Sequence, residues 1–163
     1  MVLATAGADG GPGARTVLLR GVDERGFVFY TNYHSRKGRE LEANSRAALV
    51  FPWYALSRQV VVDGTAERLT PEESDRYFSE RPVGSRLSAV ASPQSQVVGS
   101  REELEQLWRQ TEAAGAPTRP EWWGGFRVVP DAVEFWHGRE NRLHDRLRFR
   151  WDGGAWELER LAP

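Results

Sequence analysis

A chain of 163 residues suits one domain, 1–163, with one substantial core, and its 40% apolar and 28% charged residues are ordinary for a globular protein. The apolar runs are too short to span a bilayer, and a net charge of -1 gives no global attraction to nucleic acid, so any anion site must be local. Zero cysteines exclude disulfides, thiolate catalysis and cysteine-ligated metal centres, and no amino-terminal stretch has a signal-peptide layout, so a cytoplasmic protein is the simplest expectation.

Val2-Leu3-Ala4-Thr5 reads as a strand, and the turn-tolerant Gly7 to Gly13 leads to a second strand at Thr16-Val17-Leu18-Leu19. Gly21 to Gly26 reads as a turn before the β-branched and aromatic run Phe27–Thr31. Capping side chains at 32–35 predict a short helix over Arg36–Ala43 with basic residues near its start. Ala47–Phe51 looks like a strand stopped by Pro52, and Arg58–Leu69 like a long strand bulged at Gly64. Thr70-Pro71-Glu72-Glu73 opens a helix that ends before Pro82. Ser100-Arg101-Glu102-Glu103 opens another, whose Leu104, Leu107 and Trp108 form an apolar stripe, stopped at Gly115-Ala116-Pro117. The remainder reads as strands at Gly125–Val129, Ala132–Trp136, Arg146–Trp151 and Ala155–Leu161. This order predicts a mainly-β fold, a β-barrel with α additions.

Arg15, Arg20, Arg36, Lys37, Arg81, Arg142 and Arg146 recur at strand ends and helix starts. They suit a phosphate, which needs several directional donors, and equally suit a solvated surface. Arg142 and His144 lie two apart, so on a strand they would share a face that Arg146 continues; the same run also reads as an exposed edge strand. Tyr77 and Arg81 are four apart on one helix, with Ser85 in a loop beyond, a set able to grip a phosphate monoester. The alternative is that Tyr77 packs in the core and Arg81 caps the helix. Ser92-Pro93-Gln94-Ser95-Gln96 offers amide and hydroxyl donors, or is a plain connection. Seven tryptophans point to an aromatic-lined pocket or subunit interface. His34, His137 and His144 lack metal-ligand spacing, and no nucleophile elbow, dinucleotide fingerprint or phosphate-binding P-loop occurs.

Seven blocks in order carry a resemblance: Arg15–Leu19, Phe29–Asn32, Ser35–Gly38, Arg58–Val60, Ala91–Ser95, Trp123–Arg127 and Arg142–Leu147. Their order and intervals are similar to the pyridoxamine 5'-phosphate oxidase family from about residue 2 to the end of the chain. The resemblance implies an FMN-binding split β-barrel homodimer with the cofactor at the subunit interface. Arg15, Arg36, Lys37, Gln94 and Ser95 resemble ligands of FMN, chiefly of its phosphate end, and Tyr30, Thr31, Gln59, Trp136 and Arg146 those of the rest. Tyr77, Arg81 and Ser85 resemble residues gripping the substrate's phosphate, Arg142 and His144 those facing its pyridine ring. Arg20 stands where the family usually has lysine, and Val90 where it often has tryptophan. The family's leading helical segment, which helps cover the active site, is expected to be absent.

The implied reaction is oxidation of pyridoxamine or pyridoxine 5'-phosphate to pyridoxal 5'-phosphate, with hydride transfer to the flavin and O2 reduced to H2O2. Arg142 and His144 would orient and polarise the substrate. Three alternatives accompany it: a related flavin oxidase of the phenazine-biosynthesis type, a non-catalytic flavin or pyridoxal-phosphate carrier, and a dimerisation barrel with no cofactor.

Overall fold

Alternation builds the first strand: in β1 (Val2–Ala6), Leu3 and Thr5 are buried while their neighbours are half-exposed, the two-residue period of a sheet with one covered face. The computed structural model describes residues 1–163. It continues with β2 (Pro12–Thr16), β3 (Gly21–Asp23), β4 (Gly26–Asn32), α1 (Arg36–Ala43), β5 (Arg46–Trp53), β6 (Arg58–Arg68), α2 (Pro71–Glu80), α3 (Val83–Ala91), α4 (Arg101–Ala113), β7 (Trp123–His137), β8 (Asp145–Trp151) and β9 (Trp156–Arg160).

The nine strands pair antiparallel in the order β2-β1-β5-β6-β7-β4-β3, with β8 on β7 and β9 on β8. The fold is mainly β with α additions, as expected, and the sheet does not close on itself. β7 organises it: one edge pairs along β6, while the other is shared between β4, at residues 123–128, and β8, at residues 132–137. Leu3, Phe29, Leu41, Leu49, Val62, Phe126 and Val128 form the core beneath the sheet.

Local chemistry sets the helices. Ser35 caps α1 by accepting from the Gly38 amide, Thr70 and Glu73 form a reciprocal capping box before Pro71, and Ser100 accepts from the Glu103 amide. Gly38 is required for close approach, since a Cβ there would lie 2.1 Å from the Tyr33 carbonyl oxygen.

Several expectations are corrected. The second strand is Pro12–Thr16, before Leu18 and Leu19, which are exposed, and Gly21–Asp23 is a short strand and not only a turn. β5 continues through Pro52 because β1 pairs it only as far as Val50, leaving the proline with no ladder partner on that side. The two strands around Pro130 are one, because Pro130 sits opposite the β6 irregularity at Asp63/Gly64 and in the gap between β4 and β8. α3 was not anticipated: its cap, Pro82, makes no side-chain hydrogen bond and its first turn carries no acid, so Ser85 lies in a helix and not in a loop. Finally, Arg142, His144 and Arg146 do not share a strand. Arg142 ends a 3-10 turn, Glu140–Arg142, with left-handed backbone at Asn141 and Arg142, and β8 begins only at Asp145.

Candidate functional site

The core of the sheet brings one set of candidates together. Arg15 from β2, Arg20 after it, Tyr30 and Thr31 from β4, Lys37 from the first turn of α1, Tyr77 and Arg81 from the end of α2, and Gln94 after α3 line a cavity of about 240 Å³ with Thr16, Val17, Leu18 and Trp123. Tyr30 stacks on Tyr77 with ring centroids 3.8 Å apart, and Trp123 lies nearly parallel to both, giving a flat aromatic wall. Burial and the neighbouring Tyr77 push the Tyr30 phenol above its ordinary range.

The charges of this cavity are unequal. Arg15 is paired, with Nη2 2.8 Å from the Glu40 carboxylate. Arg20, Lys37 and Arg81 make no ion pair. The Lys37 ammonium donates only to neutral oxygens: Thr31 Oγ1 at 3.2 Å, Ser35 Oγ at 3.4 Å and Gln94 Oε1 at 3.0 Å. Burial, together with the charge of Arg15, lowers its pKa to about 8, against the opposing pull of Glu40. The Arg81 guanidinium lies 4.8 Å from the Trp123 ring centroid, and its Nη1 is buried with no acceptor. Buried donors are almost always satisfied, so three unpaired cations around an unfilled Nη1 describe a receptor for anionic oxygen.

The other candidates lie elsewhere. Gln59 and Trp136 face each other across β6 and β7 and line a second cleft of about 630 Å³ with Trp53, Leu56, Phe135 and Leu147. The His144 ring is 4.8 Å from that of Trp136, and its Nδ1 accepts from the Arg139 amide at 3.0 Å. Arg142 is exposed nearby in sequence, whereas both ends of the Arg146 fork are held by Glu134 at 2.7 and 2.9 Å. Tyr30 pairs with Gly125 and Gln59 with Trp136, eleven residues further along β7. At about 3.3 Å per residue the two groups are separated by roughly 35 Å of strand. One copy of the chain therefore does not unite them.

Six candidates line neither space: Arg142, His144 and Arg146, and also Arg36, Ser95 and Ser85. Arg36 donates from Nε to Glu40 at 2.7 Å and from Nη2 to the Pro12 carbonyl. Ser95 is exposed with φ of 71°, and Ser85 sits in the first turn of α3 with its amide donating to the Pro82 carbonyl. Two residues of the site were not singled out from the sequence. Trp123 opens the segment Trp123–Arg127, but its place in the wall depends on pairing β7 with β4. Glu40 is four residues after Arg36 on α1, a spacing that signals an ion pair.

A family model described as "Pyridoxamine 5'-phosphate oxidase" matches residues 1–113, and one described as "Pyridoxine 5'-phosphate oxidase C-terminal dimerisation region" matches residues 123–163. Proteins named pyridoxine/pyridoxamine 5'-phosphate oxidase include one from Rubrobacter xylanophilus, 60% identical over all of this chain and 76% of its own length. Another, from Pseudomonas putida, is 55% identical over all of this chain and 77% of its own. The crystal structure of PhzG from Burkholderia lata 383, in complex with tetrahydrophenazine-1-carboxylic acid, superposes with a TM-score of 0.93 at 36% identity, covering 99% of this chain and 81% of that one. A pyridoxamine 5'-phosphate oxidase-related, FMN binding protein from Nostoc punctiforme shares the fold, with a TM-score of 0.79 at 18% identity over 99% of this chain and 87% of its own. With both halves of the chain matched and relatives of this identity along its whole length, the protein belongs to the pyridoxamine 5'-phosphate oxidase family.

Proposed function

We propose that this protein oxidises pyridoxamine and pyridoxine 5'-phosphate to pyridoxal 5'-phosphate, with FMN as cofactor and dioxygen as acceptor, releasing hydrogen peroxide. The observation that carries the reading is the aromatic-walled cavity with three unpaired cations and an unfilled, buried Arg81 Nη1. It suits phosphorylated ligands and fits less well a substrate that lacks phosphate, as in the phenazine-type alternative. The proposed assembly is a homodimer, because the dimerisation region contains Trp136, Arg142, His144 and Arg146, and a second copy is the simplest way to set these residues, with Gln59, against the cavity of the first. A cytoplasmic setting completes the reading; no helix is long and apolar enough to cross a membrane.

Within this reading, Lys37, Thr31, Gln94 and Arg15 hold the FMN phosphate, with Arg36 and Ser95 at its outer side. Tyr30 holds the middle of the cofactor, and Gln59, Trp136 and Arg146 of the second copy hold the ring. When bound, FMN supplies the redox chemistry, accepting a hydride from the substrate carbon and passing the electrons to dioxygen. Arg81, Tyr77, Arg20 and Ser85 anchor the substrate phosphate away from the reacting carbon, so that binding energy fixes orientation. Arg142 and His144 face the pyridine ring. Because His144 Nδ1 accepts from the Arg139 amide, the neutral ring carries its proton on Nε2, which leaves Nε2–H free to donate to the substrate.

The purified protein is expected to show a flavin absorbance band and to consume oxygen with pyridoxine 5'-phosphate; flavin-loaded protein without turnover refutes the proposed reaction. His144→Ala and Arg142→Ala are expected to keep the flavin band and lose roughly a hundredfold in turnover. Flavin loss in both variants equal to that of Arg36→Ala would place the two residues on the cofactor instead.

A further inference from the structure

The cavity is bordered by a buried carboxylate that none of the roles above uses. Glu40 is only 8% exposed, yet three side chains from three elements converge on it: Thr5 Oγ1 of β1 donates at 2.5 Å, Arg15 Nη2 of β2 at 2.8 Å and Arg36 Nε of α1 at 2.7 Å. Thr5 works in both directions, because its Oγ1 also accepts from Arg15 Nη1 at 2.5 Å. Space for this cluster is built into the backbone. A Cβ on Gly13 would come within 2.6 Å of Arg15 Nη2, 3.0 Å of Glu40 Oε1 and 3.1 Å of Arg36 Nη2. A buried acid satisfied by two guanidiniums and a hydroxyl, in a pocket kept clear by a glycine, is an arrangement with a direction: it fixes Arg15 along β1 beside Lys37.

We propose that Glu40 is a positioning residue of the flavin phosphate site, a single buried carboxylate that holds Arg15 in place and serves as the counter-charge shared by Arg15, Arg36 and Lys37. The proposal rests on the reading of this cavity as the FMN phosphate site.

The electrostatics around Lys37 agree. Arg15 from β2 disfavours its charge and Glu40 from its own helix favours it. Thr31 of β4 and Gln94 offer neutral oxygens, and Arg20, Tyr30, Tyr77 and Arg81 border the same cavity. Burial opposes ionisation of Glu40, but the hydrogen bonds from Thr5, Arg36 and Arg15 outweigh it and hold the carboxyl below its ordinary range, so Glu40 stays charged at neutral pH. Lys37 loses its proton near pH 8 in the free protein, and affinity for a phosphate declines above that point as a charge-assisted hydrogen bond is lost. Without Glu40, the repulsion from Arg15 is uncompensated and the decline starts at lower pH.

The test is fluorescence titration of flavin-stripped protein with FMN, from about pH 6.5, where the phosphate monoester is largely a dianion, to about pH 9.5. In Glu40→Gln the alkaline decline is expected to move down by about one pH unit. Glu42→Gln removes the same charge from an exposed position on the same helix, where the acid pairs only with Arg68, and is expected to leave the decline in place. Thr5→Val keeps the charge but loosens the cluster; about fivefold weaker binding at every pH is expected, with the decline unmoved. A Glu40→Gln profile superimposed on that of the unaltered protein overturns the counter-charge role. Should Glu40→Gln not fold, Thr5→Val decides, since unchanged affinity there overturns the positioning role. Unaltered protein that binds no FMN at any pH overturns the flavin reading together with this one.

Discussion

Replacing Lys37 by methionine is expected to strip the protein of its flavin. The methionine keeps the apolar stem and roughly the volume while removing the ammonium, so the change isolates the charge. That ammonium touches three neutral oxygens and no carboxylate, which leaves its charge free for a ligand. Arg15, the cation next to it, is already committed to Glu40 and Thr5. Losing one partner of a desolvated charge pair costs about 3 kcal/mol, roughly a hundredfold in affinity. The fluorescence titration measures this directly near neutral pH, where Lys37, with a pKa of about 8, still carries its proton. Because the unaltered side chain is a desolvated cation, the variant is expected to fold at least as well as the parent in the absence of flavin. An affinity within threefold of the parent's would remove Lys37 from the phosphate site.

The second large effect is expected at Arg81, on substrate and not on flavin. Arg81→Met is expected to raise KM for pyridoxine 5'-phosphate about a hundredfold while the flavin band is retained, since a buried charge-assisted hydrogen bond to phosphate is lost. The same variant should gain stability when no ligand is bound. Burial and the nearby Arg20 disfavour the charge of Arg81, Tyr77 only partly compensates, and Nη1 has no acceptor, so the ligand-free fold carries a desolvation cost that methionine removes. A gain of about 1 kcal/mol corresponds to a rise in Tm of roughly 3 °C for a chain of this size. Steady-state kinetics and thermal unfolding of the same preparation read both effects. A KM equal to the parent's would show that Arg81 serves packing against Trp123 alone.

How much of this was legible in the sequence depended on how local the determining interactions are. α1 and α2 were readable because Ser35, Thr70, Pro71 and Glu73 write their boundaries within one turn. α3 leaves no such mark, since Pro82 caps it without a side-chain bond, so the sequence alone reads Ser85 as a loop residue. Pro130 looked like the end of a strand because a proline removes a ladder hydrogen bond. Only the register of β6 shows that the bond was not needed there. For the site, residue types were readable but their grouping was not. Arg15, Tyr30, Lys37, Tyr77, Arg81 and Gln94 converge from separate elements, and no spacing rule encodes that meeting. The two-residue interval between Arg142 and His144 suggested a common strand face, whereas left-handed backbone at Asn141 and Arg142 breaks the extended run before it starts. Glu40 was half legible: its pairing with Arg36 follows from helical spacing, and its grip on Arg15 and Thr5 only from how β1 and β2 lie against α1.

The fifteen residues of β7 carry a consequence for inheritance. Its first residues build the wall of one cavity, and its last residues, in the proposed dimer, complete the other. No catalytic centre then belongs to one polypeptide. A chain damaged only at Lys37 and a chain damaged only at His144 are each inactive among their own kind. In a mixed pair, both injuries fall on the same centre and the other is assembled wholly from sound parts. Two loss-of-function alleles, one in the cavity and one in the group around Trp136, are complementary, and two in the same group are not.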